Sequence, residues 1–403
     1  MQYGSDLRVV RAATSGLKNA IADSGATPIL IKNREEYEAS YLNGAGTVGE
    51  FAAKYAGVLG NGLKVDICTP DHWNSWTYAA EFDTAPGTSE YAESLGVSGA
   101  LDEVHAVVID GDGRWTGTAG SVLERFAFMS QAADAKATDG TSTYYRDVIN
   151  AGSAYVWWMD HDTSLSDAGT RLESQATNFI FTDPGTALVY TLSSGADDDT
   201  LTAAAVQTGF DLFEDTNTVT VDFLIAPGMS SSTDQTTVVN DLVAIASSTR
   251  KDCVAVTSPN RAAVINNNGS EVTDIVSGAA NFTRSSYLIV DGNYLKVYDK
   301  YNDQYIHIPA ASSTAGLMAA TSVNAAPWFS PAGTRRGQYL GVTSLAYAAN
   351  KSNRDTLYKA GINPISNIPG QGILLYGDKT HLSRPSAFDR INVRRLFLTI
   401  ERS

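Results

Sequence analysis

The chain has 403 residues, enough to bury large cores and to hold two or three domains. A formal net charge of −15 argues against a general nucleic-acid binder, because phosphates would repel most of the surface. No run approaches the ~18 apolar residues that cross a bilayer, and the first residues lack the basic and apolar blocks of a secretory signal.

Residues 4–12 read as a strand through Leu7, Val9 and Val10. Residues 13–46 are rich in Gly, Ala and Asn, with one apolar run at Pro28-Ile29-Leu30-Ile31. Residues 47–57 read as a short helix, capped by Thr47 and ended by Gly57. Residues 63–68 alternate as a strand, and 69–101 are loop-rich. An apolar strand at 103–109 runs into Asp110-Gly111-Asp112-Gly113 and a returning strand at Trp115-Thr116-Gly117, which is a hairpin pattern. Residues 121–132 read as a helix, and a further strand is expected at 155–159. Residues 163–200 are polar and contain Asp197-Asp198-Asp199. Cys68 and Cys253 lie in apolar strand-like runs and read as buried free thiols.

Beyond residue 200 the pattern becomes α/β. A helix at 200–214, a strand at 219–225, a helix at 233–248 and a strand at 253–257 follow one another. Strand, helix and strand within about forty residues predict a βαβ unit whose parallel strands are buried on both faces. A composition shift at 285–305 then sets off the end of the chain. From residue 301 onward eleven Lys/Arg stand against five Asp/Glu, a net of +6, whereas residues 1–300 carry a net of −21. Such a reversal predicts a basic face that meets an acidic partner or another copy of the acidic body.

Candidate chemistry is sparse. Residues 372–380 approach a phosphate loop, but Asp378 intervenes between Gly377 and Lys379 and places a negative charge where phosphates would sit. A strand with a Gly-Asp turn is the favoured reading, and no cofactor is expected. Residues 110–113 lack the further ligands of a calcium loop and 197–199 read as a solvated acidic loop, so no metal is expected. Asp160-His161-Asp162 at a strand end resembles a catalytic corner. Yet none of His72, His105, His161, His307 and His381 lies in a serine-hydrolase string, so no catalytic residue is assigned.

The last quarter carries Ala326-Pro327-Trp328-Phe329-Ser330-Pro331-Ala332-Gly333, Gly361-Ile362-Asn363-Pro364, Tyr376-Gly377-Asp378-Lys379-Thr380 and Phe388-Asp389-Arg390-Ile391-Asn392-Val393-Arg394-Arg395-Leu396-Phe397. In that order these strings resemble the C-terminal domain of contractile phage tail sheath proteins of large myophages. Residues 3–12, 60–65, 251–256, 291–294 and 298–303 extend the resemblance through nearly the whole chain.

That resemblance implies a mixed α+β protein: a subtilisin-like α/β sheath body followed by a smaller α+β C-terminal inner domain. It implies an incoming strand and a short remnant of an insertion region at 1–34, a body at 35–290 with a possible subdivision near 165–200, and an inner domain at 291–403. A helix from about residue 388 would carry an apolar stripe of Val393, Phe397 and Ile400, with Ile391, Arg394 and Arg395 on neighbouring faces. Arg335, Arg336, Arg390, Arg394 and Arg395 are the expected contacts to the tail tube or a neighbouring subunit, with some arginines paired internally to Asp355 and Asp389. The family's protruding insertion, N-terminal arm and C-terminal tail are expected to be missing or minimal, which would weaken links between rings.

The implied role is structural and mechanical, without enzymatic activity. Subunits stack as hexameric rings in a helix around the tail tube and contract to drive it through the host envelope. Expected partners are other sheath subunits, the tail tube protein, and baseplate and tail terminator proteins, with no nucleic acid and no direct membrane insertion. The expected location is the virion tail, assembled in the host cytoplasm. An alternative is the sheath of a phage-derived injection or secretion system. An alternative of another class is a subtilisin-like α/β hydrolase with His161 as its base.

Overall fold

A computed structural model describes residues 6–44, 47–162, 165, 180–181 and 184–402. By contact the chain divides into two compact units, Ala13–Thr200 and Leu201–Ser403 together with Met1–Ala12. The second break falls at the end of the polar 165–200 stretch.

The first unit contains β1 (Asn19–Ile21), α1 (Arg34–Ser40), β2 (Phe51–Ala56), β3 (Leu63–Cys68), α2 (Glu90–Ser94), β4 (Glu103–Asp110), β5 (Ser121–Ser130), α3 (Tyr145–Gly152), β6 (Val156–Trp158) and β7 (Leu188–Thr191). They build two antiparallel sheets, ordered β5-β4-β3-β7 and β1-β2-β6. Val65, Ile67, Val104, Ala106 and Val108 of the larger sheet pack with Phe51, Tyr145, Ile149 and Trp158 in one core. The two shortest helices begin at side-chain caps: Asn33 accepts from the Glu36 N–H and Ser89 from the Ala92 N–H.

Three expectations for this unit fail, each for a physical reason. Residues 47–57 are not a helix, because 51–56 form the centre of the small sheet between β1 and β6. Ala52 and Ala53 there are wholly buried, so small side chains serve close packing rather than helix propensity. Residues 121–132 are not a helix either, since 121–130 form β5. Two register shifts in β5 break its period of two, and the displaced apolar residues mimic helical spacing. The returning strand therefore begins at Ser121, and residues 115–117 belong to the turn. Asp110 holds that turn by accepting from the backbone N–H groups of Arg114 (2.9 Å), Trp115 (2.9 Å) and Thr116 (2.8 Å).

The second unit contains α4 (Ala203–Asp211), β8 (Phe223–Ile225), α5 (Ser232–Ala244), β9 (Val254–Thr257), α6 (Glu271–Ala279), β10 (Leu288–Val290), β11 (Tyr294–Asp299), β12 (Gln304–Pro309), α7 (Ala311–Asn324), β13 (Ser344–Leu345), α8 (Lys351–Lys359), β14 (Ile365–Ile368), β15 (Gly372–Leu375) and α9 (Ile391–Arg402). Strands β8 and β9 form the expected parallel pair, and β10 joins the other edge of β9, which is central. Antiparallel β12-β11-β13 and the hairpin β14-β15 complete the strands. The chain is thus a mixed α+β protein with several small sheets.

The parallel sheet is covered on both faces. On one face Cys253 and Ala255 pack with Val238, Leu242, Ile275, Leu357 and Ile362. On the other, Val254, Val256 and Ile289 pack with Ala311, Ala315, Met318, Ile391 and Leu398. Residues beyond 291 therefore share both cores of the parallel sheet, and the charge shift near that position is not a contact boundary. Both cysteines are buried, and neither forms a disulfide among the described residues.

Residues 6–12 are irregular rather than a strand, and Leu7 and Val9 are exposed. A strand needs a neighbour to satisfy its amides, and no ladder reaches these residues. Arg250, its side chain fully buried, ties the end of α5 to the segment before β8. It donates to the carbonyls of Phe213 (2.6 Å) and Val219 (3.0 Å) and pairs with Asp252 (2.9 Å). Asp291, wholly buried after β10, accepts from Ser258 Oγ (3.0 Å) and Thr314 Oγ1 (3.3 Å), joining the sheet to α7.

Candidate interaction surface

α9 is inverted relative to the sequence expectation. Its buried positions are Ile391, Arg394, Arg395 and Leu398, whereas Phe397 and Ile400 face outward. Arg394 and Arg395 are only 9% and 7% exposed, so neither is an exposed contact.

Arg394 lies between the rings of Tyr287 (4.1 Å) and Phe388 (4.3 Å) and donates to Ser286 Oγ. Arg395 donates to the Met318 carbonyl (2.9 Å) and to Ser322 Oγ, with its guanidinium over Phe223 (5.3 Å). Burial pushes its pKa down to about 10, still charged at neutral pH. Arg402 adds a third tie, to Asp222 and to the Val221 carbonyl (2.7 Å). Polar anchors thus hold α9 to α7 and to the edge of the parallel sheet.

The other expected arginines divide. Arg390 pairs with Asp378 (2.5 Å) and, more loosely, with Asp389 (3.6 Å). The hydrogen bond to Asp378 is the main reason its pKa is raised. Arg336 is half-buried, donating to the Ser330 carbonyl (2.7 Å) over the Phe329 ring (5.1 Å). Arg335 is exposed, as are Lys351, Lys359 and Arg384, and none of these four makes an ion pair among the described residues. The same part of the chain also exposes apolar side chains: Val323 is 79% exposed, Ile400 56%, and Trp328, Phe329 and Phe397 are exposed too. Asn392 of α9 donates to the Trp328 carbonyl (3.3 Å), which joins the α9 face to the Trp328-Phe329 turn.

The remaining motifs make contacts within the fold. His161 is held between the hydroxyls of Tyr145 (2.7 Å) and Tyr144 (3.2 Å), against the Trp158 ring. Asp198 bonds Thr14, Gly16 and Thr200, and Asp197 accepts from the Val58 N–H (3.2 Å), so the acidic run ties loops together. Among the described residues no group of three His, Cys, Asp or Glu is placed to hold a metal. The 372–380 segment is pinned by Asn363, which accepts from the Lys379 N–H (2.7 Å) and donates to the Lys379 carbonyl (2.8 Å) and to the Val290 carbonyl (3.1 Å). The sequence reading missed Arg250, Asp291 and Arg402 as anchors. Only the cluster Arg250-Lys251-Asp252 beside an apolar strand offered a signal.

Comparison with known proteins places these features. Residues 195–381 match the phage tail sheath protein central domain family. The full chain is 28% identical to the tail sheath protein of Salmonella phage ViI, covering 72% of that relative. It is 31% identical over 87% of its length to the tail sheath protein of Vibrio phage KVP40, and spans about half (52%) of it. A sheath tail protein from Listeria innocua has a similar fold, with a TM-score of 0.50 at 11% identity, over 87% of this chain and 58% of that one.

Proposed function

We propose that this chain, similar along its whole length to a tail sheath protein and matching the sheath central domain over residues 195–381, is a structural and mechanical subunit of a contractile tail sheath. The observation that carries the reading is similarity along the entire chain to a tail sheath protein. In this reading subunits stack as hexameric rings in a helix around the tail tube, in the virion tail, after assembly in the host cytoplasm. Work then comes from two packings of one rigid subunit that differ in free energy, with no cofactor and no enzymatic step. A heterologous contact that does not close on itself generates the helical stack.

In this reading the parallel layer belongs to the subtilisin-like body expected over 35–290, and residues 291–403, which share its cores, supply the inner region. Its exposed cations, led by Arg335, meet the tail tube or the acidic surface of another subunit, while baseplate and terminator proteins cap the stack. Exposed ion pairs of ~0–1 kcal/mol each give a contact that salt weakens and contraction releases. Electron microscopy of the purified chain at rising concentration tests the proposal. Rings or tubes that disperse on raising salt support it. A protein that stays monomeric at every concentration and also fails to coat isolated tail tubes refutes it.

A further inference from the structure

The first unit carries a groove of about 640 Å3 that the sheath reading does not use. It runs beside α2, and its lining includes Tyr91, Phe128, Glu90, Glu103, Ser94 and Lys136.

The backbone aims Phe128 into this groove. The β4–β5 register steps from Val104↔Met129 to Ala106↔Phe126, so Ala127 and Phe128 together oppose His105. Phe128 thereby takes a φ of +51°, left-handed backbone that an aromatic residue rarely adopts. Its N–H donates to Nδ1 of the wholly buried His105 (3.0 Å), while Nε2 of the same ring bonds the Thr84 carbonyl (2.9 Å). Both bonds are made by the neutral ring with its proton on Nε2, and burial lowers the His105 pKa in the same direction. The result is a 39% exposed phenyl ring on the groove wall. A bulge that re-aims a side chain, and backbone strain that a buried group sustains, are features that collect at binding sites.

We propose that this groove binds a neutral or amino-bearing saccharide. The volume lies in the range of small-ligand sites, and the lining mixes two aromatic rings with hydroxyl, carboxylate and ammonium groups. Phe128 and Tyr91 offer apolar faces for the C–H side of a pyranose ring. Ser94, Glu90 and Lys136 offer hydrogen bonds to its hydroxyls. Two carboxylates against one ammonium favour an amino group on the sugar and disfavour an acidic sugar. The proposal stands independently of the sheath assignment.

The test is calorimetric titration of the full chain with chitotriose, glucosamine and glucuronic acid, with glycerol as the control. We expect saturable binding of chitotriose or glucosamine with a Kd of ~0.1–10 mM. Phe128→Ala should weaken it about tenfold and Phe128→Tyr should retain it. Lys136→Glu, an exposed change that leaves the core untouched, should strengthen glucosamine binding. No saccharide binding at about 20 mM overturns the proposal, as do binding indifferent to both Phe128→Ala and Lys136→Glu, a preference for glucuronic acid, or an equal response to glycerol.

Discussion

Asp291 makes stability depend on pH in a direction opposite to that of an ordinary paired carboxylate. Burial raises its pKa from 3.8 to about 8, against the lowering effect of its bonds from Ser258 and Thr314. Its Oδ1 has no hydrogen-bond partner among the described residues, so nothing compensates a charge there. Between pH 3.8 and about 8 the fold binds a proton that the unfolded chain has released, so stability falls as pH rises and levels off above about 8. Going from pH 5 to pH 9 crosses about three units of this window, or ~4 kcal/mol at ~1.4 kcal/mol each. Asp291→Asn removes the titration while keeping the shape. The variant should melt close to the parent at pH 5 and roughly 10 °C above it at pH 9, at ~2–4 °C per kcal/mol. Circular dichroism melts of both proteins across that range measure the difference. A gap between parent and variant that is the same at pH 5 and pH 9 refutes the reasoning.

Three further outcomes follow from the anchors and the basic surface. Arg395→Ala should cost ~3 kcal/mol by stripping a buried guanidinium from the Met318 carbonyl and Ser322, read as a lowered denaturant midpoint; an unchanged midpoint would show the anchor to be idle. Arg250→Ala should cost ~3–5 kcal/mol and raise hydrogen exchange across 213–219, whose carbonyls it holds. Arg335→Glu should leave folding within ~0.5 kcal/mol while weakening co-sedimentation with tail tubes, an effect that added salt should reproduce in the parent.

Legibility in the sequence followed the regularity of the backbone. The βαβ unit was readable because β8, α5 and β9 keep the continuous apolar runs and helical spacing of a sheet covered on both faces. β5 was not readable, since its two bulges shift apolar residues onto a helical period. β2 looked helical because alanines that serve close packing also favour helices. For the surface, the charge excess did not show which arginines are exposed. Arg394 and Arg395 cluster with the others in sequence, yet their partners Tyr287, Ser286, Met318 and Ser322 lie far away along the chain. The conformation of Phe128 was equally hidden, because the histidine that fixes it sits on another strand.

The inversion of α9 has a thermodynamic signature of its own. A helix docked through guanidinium bonds, with Phe397 and Ile400 outside, buries less apolar surface than its twelve residues could. Its detachment would uncover Ile391, Leu398 and the sheet residues Val254, Val256 and Ile289, but Phe397 and Ile400 would add little, so the m-value and heat-capacity change would be well below those of global unfolding without vanishing. Amides of 391–402 should then exchange by a local opening that responds to denaturant less steeply than the global unfolding that β9 awaits. The last helix would let go only by uncovering one face of the parallel sheet, and its polar anchors would guide it back into the same seat.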